Sequence, residues 1–367
     1  MEAVNYKNNT IFSYADYEFC RLQKCYQVGM RYDANEKENG QTSPDVAASR
    51  RVPTFSTSDD GSQRQSSPDV FEPLSQISEN PVQTSTPPRR SMHPIVEKVK
   101  TILNQEFPPT MYNAPQGVHM TPLQQLQYGF ACFSDMVKPD VDSVEIVEVA
   151  DKFESFKFQE DYCIKAAELA MCCEPFARLP FNDKWLLFRH YWCAFYALER
   201  IYSTIEIFGY EIDDTKHLVT SRYAADENTV WEIIGIPVER SREFIRFCQP
   251  LKDNMIQNLS NPMKMIRVTR FEVVYMLAQM LWSVYEVKGI SEHAKSIGEG
   301  VLEQISSELH NFYSFDMHLT NYASRHAKII RLLSVAEHQV QLYKDYFTMA
   351  KIFNIFEYDL YESELIE

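Results

Sequence analysis

The stretch WLLFRHYWCAFYAL runs from Trp185 to Leu198. Twelve of its fourteen residues are apolar or aromatic, and only Arg189 and His190 interrupt them. Wound into a helix, these side chains cover every side of the wheel. A helix that is apolar all round must be buried on all sides. A membrane span needs about 18 to 20 uninterrupted apolar residues, whereas Glu199-Arg200 closes this run. The run therefore predicts the central helix of a large all-α domain, with other helices packed above and below it.

Working outward, FARLPFNDK leads into that helix, with Asn182 or Asp183 as its expected cap. Upstream, the spacing of Ile164, Ala167, Met171 and Phe176 predicts a helix from about Gln159 to Phe176. Thr121-Pro122 opens another, with Thr as N-cap and Pro at the first helical position. Leu123, Leu126, Phe130 and Phe133 form its apolar stripe. Further back, Ile95, Val96, Val99, Ile102 and Leu103 mark a short amphipathic helix that Pro108-Pro109 ends. Downstream, GYEIDDTKHLVTSRY is polar, carries a turn-like Asp213-Asp214 and has room for one short β-hairpin. Helices are expected again from Arg240 to Leu259, from the capping box Thr269-x-x-Glu272 through Trp282, from Ser291 to Phe312, and from about Leu319 to Ala350. The expected architecture is one all-α domain over 94–367.

The rest of the chain differs in character. Eight of the 18 prolines lie between Pro44 and Pro94, among Ser, Thr, Gln, Asp and Asn. That composition buries too little apolar surface to offset its ordering entropy, so 31–93 is expected to be a disordered linker. Ser43-Pro44, Ser67-Pro68 and Thr86-Pro87 within it suit a proline-directed kinase. The formal net charge of −15 over 367 residues excludes general nucleic-acid binding, so any DNA contact needs a local basic element. Glycine is scarce, at 10 residues, and no glycine-rich phosphate loop, GxSxG or HExxH motif is present. The eight cysteines form no CxxC pair, and the first residues carry no secretory pattern. The expected setting is a reducing compartment, with no membrane segment and no catalytic constellation.

Residues 20–30, CRLQKCYQVGM, fit the pattern C-R-x-x-K-C-x-x-x-G-M through Cys20, Arg21, Lys24, Cys25, Gly29 and Met30. This resembles the end of the second zinc module of nuclear hormone receptors. Phe176, Leu179, Asp183, Lys184 and Leu187 resemble the ligand-binding-domain signature of the same family. The order of parts also fits: a DNA-binding end over 1–30, a hinge over 31–93 and a helical domain over 94–367. The tyrosine-rich, loosely matching style is similar to the family's nematode-expanded branch. The resemblance implies a three-layer helical sandwich, a nuclear location and regulation of transcription by RNA polymerase II.

The chain departs from the family where zinc is concerned. A zinc module needs four thiolates around a tetrahedral ion. Only Cys20 matches a ligand, Tyr17 stands where another cysteine is expected, and residues 1–19 hold no cysteine. No stable zinc site and no required cofactor are expected. Arg21 and Lys24 match residues that touch DNA phosphates in the family. Alone they give salt-sensitive contact without base reading, so DNA binding is expected to be weak or indirect.

In the helical domain the resemblance implies a pocket for a small apolar ligand below the central helix. Its candidate lining is Cys163, Ala167, Met171, Cys193, Tyr196 and Arg200, although plain core packing suits the same positions. It also implies a groove for coregulator helices. Arg189 falls at the groove's rim, where a basic residue holds the end of a partner helix. The groove's usual lysine is replaced by Met171, leaving Lys184 as the candidate substitute. Glu364, Leu365 and Ile366 match part of the activation helix that completes the groove, while Glu362 sits where an apolar residue is expected. The helix over 319–350 resembles the one that dimerises receptors, as homodimers or heterodimers, though its stripe of Ile329, Leu332, Leu333, Val340 and Tyr343 equally suits internal packing. Two functions follow: a ligand-responsive transcription factor, or a DNA-binding-deficient regulator that sequesters receptor partners or coregulators.

Overall fold

The computed structural model describes residues 92–107, 119–353 and 357–366. The stretch expected to be a zinc-module remnant, with Cys20, Arg21 and Lys24, and residues 31–91 of the expected linker lie outside the described residues, whereas the last two linker residues, Met92 and His93, belong to the start of a helix. Ten α-helices are described: α1 (His93–Leu103), α2 (Pro122–Val137), α3 (Lys152–Met171), α4 (Glu174–Ala177), α5 (Phe181–Phe208), α6 (Val238–Met255), α7 (Asn261–Ile266), α8 (Arg270–Leu281), α9 (Glu292–Asn311) and α10 (Ala323–Ile352). Five short strands accompany them: β1 (Glu145–Ile146), β2 (Val149–Asp151), β3 (His217–Leu218), β4 (Tyr223–Ala225) and β5 (Val230–Glu232). The fold is the three-layer helical sandwich.

Helix α5 is the spine. No residue between Trp185 and Leu198 is exposed, and Phe188, Tyr191, Trp192 and Phe195 are fully buried. It packs on α3, α8 and α10. Helix α2 bridges α3 and α8. This closeness depends on Gly129, where an added Cβ would stand 2.8 Å from Cys172 Sγ. The run's charged end is not the helix's end. Glu199 and Arg200 are buried too, and α5 continues to Phe208, where Gly209, at φ 89°, turns the chain out. Two adjacent charges stay inside a helix only if paired, and these are: Arg200 donates to both carboxylate oxygens of Glu199 at 2.9 Å.

The capping expectations hold where the side chain has a local partner. Thr121 and Thr269 each close a reciprocal capping box, with Gln124 and Glu272, and Ser291 caps α9 through the Ala294 N–H. At α5 the cap differs. Pro180 is its N-cap, and Asp183 instead accepts from the Ser291 N–H at 2.9 Å and its hydroxyl at 2.7 Å, tying the start of α9 to the spine. Helix α3 starts seven residues earlier than expected, capped by Asp151, and stops at Met171 because Pro175 follows in the first turn of α4.

The strands exceed the expected hairpin. β3 and β4 pair antiparallel as a hairpin, but its turn lies at 219–222. Asp213, at φ 62°, turns the chain before β3 and holds Asn261 through its carboxylate at 2.7 Å. β1 joins β4 and β2 joins β5, both parallel. Segments of two or three residues carry no alternating pattern, so their pairing is legible only in three dimensions.

The stripe of α10 packs on the core: Ile329, Leu332 and Leu333 are buried, and Val340 and Tyr343 are half-buried against it. A polar lock fixes this layer. Glu272 is wholly buried, and its carboxylate accepts from Arg325 Nε at 2.6 Å and Nη2 at 2.7 Å, from the Tyr313 hydroxyl at 2.8 Å and from the Thr269 N–H at 2.8 Å.

Candidate functional site

A cavity of about 200 Å³ lies between α3, the second half of α5, α6, α10 and the strands. Helical spacing aims four residues of α3 at it: Lys152, Ser155, Phe156 and Gln159, a stripe at i, i+3, i+4 and i+7. Phe244, Tyr343 and Phe347 supply apolar wall. Three cationic side chains, Lys152, Arg200 and Lys252, line it, and none of the lining residues is Asp or Glu.

Two of the six expected pocket residues, Tyr196 and Arg200, do line this cavity. Cys163, Ala167, Met171 and Cys193 are not among its lining residues; they are buried in the packed core. Beside them the buried Tyr162 ring stands edge-on to Phe133 at 5.1 Å and to Tyr196 at 4.8 Å. The cavity instead opens toward the first half of α3. Lys152, His217, Trp231 and Lys252 were missed, since each comes from a different segment and nothing local marks it.

The electrostatics are uneven. Lys152 lies over the Trp231 ring at 4.7 Å and the Phe156 ring at 5.7 Å, and burial holds its ammonium below the ordinary lysine range. Burial also lowers Lys252. His217 stacks on Trp231 and sits 3.0 Å from the Thr215 carbonyl through Nδ1. Burial pushes its pKa down to about 4, so the imidazole is neutral at pH 7. Arg200 stays charged: the Glu199 carboxylate outweighs desolvation, its guanidinium faces the Phe158 ring at 5.2 Å, and Nη1 has no hydrogen-bond partner among the described residues. Burial pushes the Tyr196 phenol up to about 12 and the Cys248 thiol up to about 11. Cys172, Cys173 and Cys193 are likewise pushed up to about 12, which leaves them as thiols rather than the nucleophilic thiolate. Among the described residues no group of three His, Cys, Asp or Glu side chains could hold a metal ion. No described helix is long and apolar enough to cross a membrane.

A second constellation surrounds the first half of α5. The C-terminal segment makes a single 3₁₀ turn, Asp359–Glu362, and then runs against α5. Leu360 and Leu365 are fully buried and Ile366 nearly so. Trp192 donates its indole N–H to the Leu365 carbonyl at 2.7 Å, and Arg189 donates to the Ile366 carbonyl at 3.4 Å. Gln159 donates to the Tyr361 hydroxyl at 3.0 Å, and Glu362 pairs with Lys351. Glu362, which looked misplaced for an apolar site, is thus an outward-facing ion-pair partner. Arg189 and Glu364 through Ile366 are brought together as one seam. Lys184 is not part of it: it is buried, burial lowers its pKa, and its ammonium donates to the Ala177 carbonyl at 3.1 Å, which closes α4 from within.

Comparison with known proteins gives this geometry a context. A family model for the ligand-binding domain of nuclear hormone receptors matches residues 142–353. Similar proteins include nuclear hormone receptor family member nhr-213 of Caenorhabditis elegans, 22% identical over 283 residues that make up 74% of this chain and 64% of that protein. Nuclear hormone receptor family member nhr-218 of the same organism is 22% identical over 351 residues, 92% of this chain and 81% of that protein. A third, a high zinc activated nuclear receptor protein, is 23% identical over 262 residues, 65% of this chain and 62% of that protein.

Proposed function

Because the chain belongs to the nuclear hormone receptor family through its ligand-binding domain, we propose that it regulates transcription by RNA polymerase II in the nucleus, binding a small, mainly apolar molecule that carries one anionic group. The observation that carries the ligand reading is the cavity lining: aromatic and aliphatic walls, three cations and no carboxylate. Ligand sites combine apolar walls with a few fixed polar groups that orient the ligand. Here Arg200, with an unpartnered Nη1, and Lys152, half-buried and partly desolvated, are those groups. The volume of about 200 Å³ falls below the roughly 300–1,000 Å³ of drug-sized sites, which favours a short ligand.

The test is thermal unfolding of the full chain with straight-chain carboxylic acids of about six to ten carbons, against the matching primary alcohols. The acids are expected to raise Tm more than the alcohols, and Lys152→Met to remove most of that difference. Equal shifts from acids and alcohols would discard the anionic group. No shift, together with no co-purifying small molecule by mass spectrometry, would discard ligand control.

The seam of Arg189, Trp192 and the C-terminal segment supports a coregulator-binding surface, since a docked C-terminal segment on α5 completes an apolar groove edge. A second reading is favoured by Tyr17, which stands where the resemblance puts a zinc-binding cysteine to accompany Cys20. On that reading the chain acts without direct DNA recognition, sequestering receptor partners or coregulators. A zinc assay with a gel shift on the full chain separates the two, because sequence-dependent binding with bound zinc would exclude the second.

A further inference from the structure

Helix α1 lies upstream of the residues matched by the ligand-binding-domain family model, yet it is built into the core. Val96, Val99, Ile102 and Leu103 are all buried, a stripe at i, i+3, i+6 and i+7 along one face. That face packs on α3 and on α5. On its edge, Lys100 reaches both carboxylate oxygens of Glu364 at 3.2 Å, and its ammonium stands 5.2 Å from the centre of the Trp185 ring. One short helix thus touches α3, the start of α5 and the C-terminal segment together. Those are the three elements that border the coregulator-type groove.

We propose that α1 is an internal stand-in for a partner helix: it occupies the groove between α3, α5 and the C-terminal segment, and a coregulator helix binds by displacing it. The inference rests on the coregulator reading above. An amphipathic helix laid in an apolar groove is a recurrent recognition mode, read through anchors at helical spacing. α1 supplies those anchors and adds a charge. The partner it mimics is a helix of about three turns, about 16 Å long, with apolar residues at the positions of Val96, Val99, Ile102 and Leu103 and a basic residue at that of Lys100.

Two properties make α1 releasable. A helix of 11 residues is marginal on its own and holds its shape through packing. No side chain caps its N-terminus, and its pair with Glu364 is solvent-reached, with side chains 29% and 54% exposed. Against release stands the tether. The residues joining α1 to α2 keep α1 near its groove at an effective concentration on the order of millimolar. A free helix therefore binds only when it outcompetes that concentration, and weakening α1 raises the apparent affinity for any partner helix.

The experiment uses the full chain and two fluorescein-labelled peptides, read by fluorescence anisotropy. One has the sequence of residues 92–106; the other carries leucine in place of Val99 and Ile102. The wild-type chain is expected to bind both weakly. The variant Val99→Asp with Ile102→Asp, whose α1 no longer fits the groove, is expected to bind both at least about tenfold more tightly. Lys100→Glu in the chain, which leaves Glu364 available to the peptide's lysine, is expected to give a smaller gain. Equal binding by wild type and both variants would overturn the occlusion while leaving the groove reading intact. Binding of neither peptide by variants that still melt cooperatively would overturn the groove reading and the inference with it. If the double variant fails to melt cooperatively, Lys100→Glu decides: no gain over wild type overturns the proposal.

Discussion

Two of the ion pairs among the described residues, Arg325–Glu272 and Lys100–Glu364, tie elements together in opposite ways. Glu272 is wholly buried between α8 and α10, and Arg325, Tyr313 and Thr269 satisfy its carboxylate from several sides. Lys100 and Glu364 join α1 to the C-terminal segment at the surface, with water at both side chains. A buried, multiply bonded carboxylate cannot lose a partner without leaving charge in a low-dielectric interior. An exposed pair exchanges its partner for water at little cost. The first arrangement fixes a frame, and the second leaves a part that can be removed.

The contrast predicts a graded series of losses. The largest is Arg325→Met, which strands Glu272 and is expected to cost about 3–5 kcal/mol in denaturant unfolding. A loss below about 1 kcal/mol would break the comparison, because the lock would then be no stronger than a surface pair. Next comes a pH effect at the cavity. The folded pKa of His217 lies near 4 and its unfolded value near 6.5, so the unfolded chain binds more protons between them. Stability attributable to His217 is full above about pH 6.5 and falls as pH drops toward 4. His217→Gln is expected to flatten that part of the stability–pH curve, and an unchanged slope would remove His217 as its source. Smaller again is Trp192→Phe, which deletes the donor to the Leu365 carbonyl. It is expected to cost about 1 kcal/mol and to speed hydrogen exchange in 357–366 more than in α5. Uniform acceleration would show that the seam belongs to the frame. The smallest is Lys100→Ala, expected to change stability by no more than about 1 kcal/mol.

Much of the frame was legible because its signals are local. The apolar run at 185–198 announces burial on all sides, and no residue in it is exposed. Thr121, Thr269 and Ser291 sit a fixed three residues from the N–H they cap, so sequence spacing is the interaction. The site was legible in part. Tyr196 and Arg200 line the cavity, but Cys163, Ala167, Met171 and Cys193 do not, being buried in a packed core where Tyr162 meets Phe133 and Tyr196. Whether a core position lines a void depends on the volume of all the side chains that meet there, from its own helix and from others. Lys184 shows the same limit: its charge suggested a surface role, while the neighbouring Ala177 carbonyl draws it inside.

Helical periodicity and capping act over three or four residues, so the fold class, the spine and most helix starts were readable along the chain. Tertiary packing set Asp183 to tie α9 rather than cap α5, and buried Ile329, Leu332 and Leu333 of α10. It alone joined Lys152, Arg200 and Lys252 around one cavity and set α1 against Glu364, 264 residues away in the chain. Those outcomes depend on which surfaces meet after burial, and no short-range pattern encodes the partner a side chain finds across a packed interface.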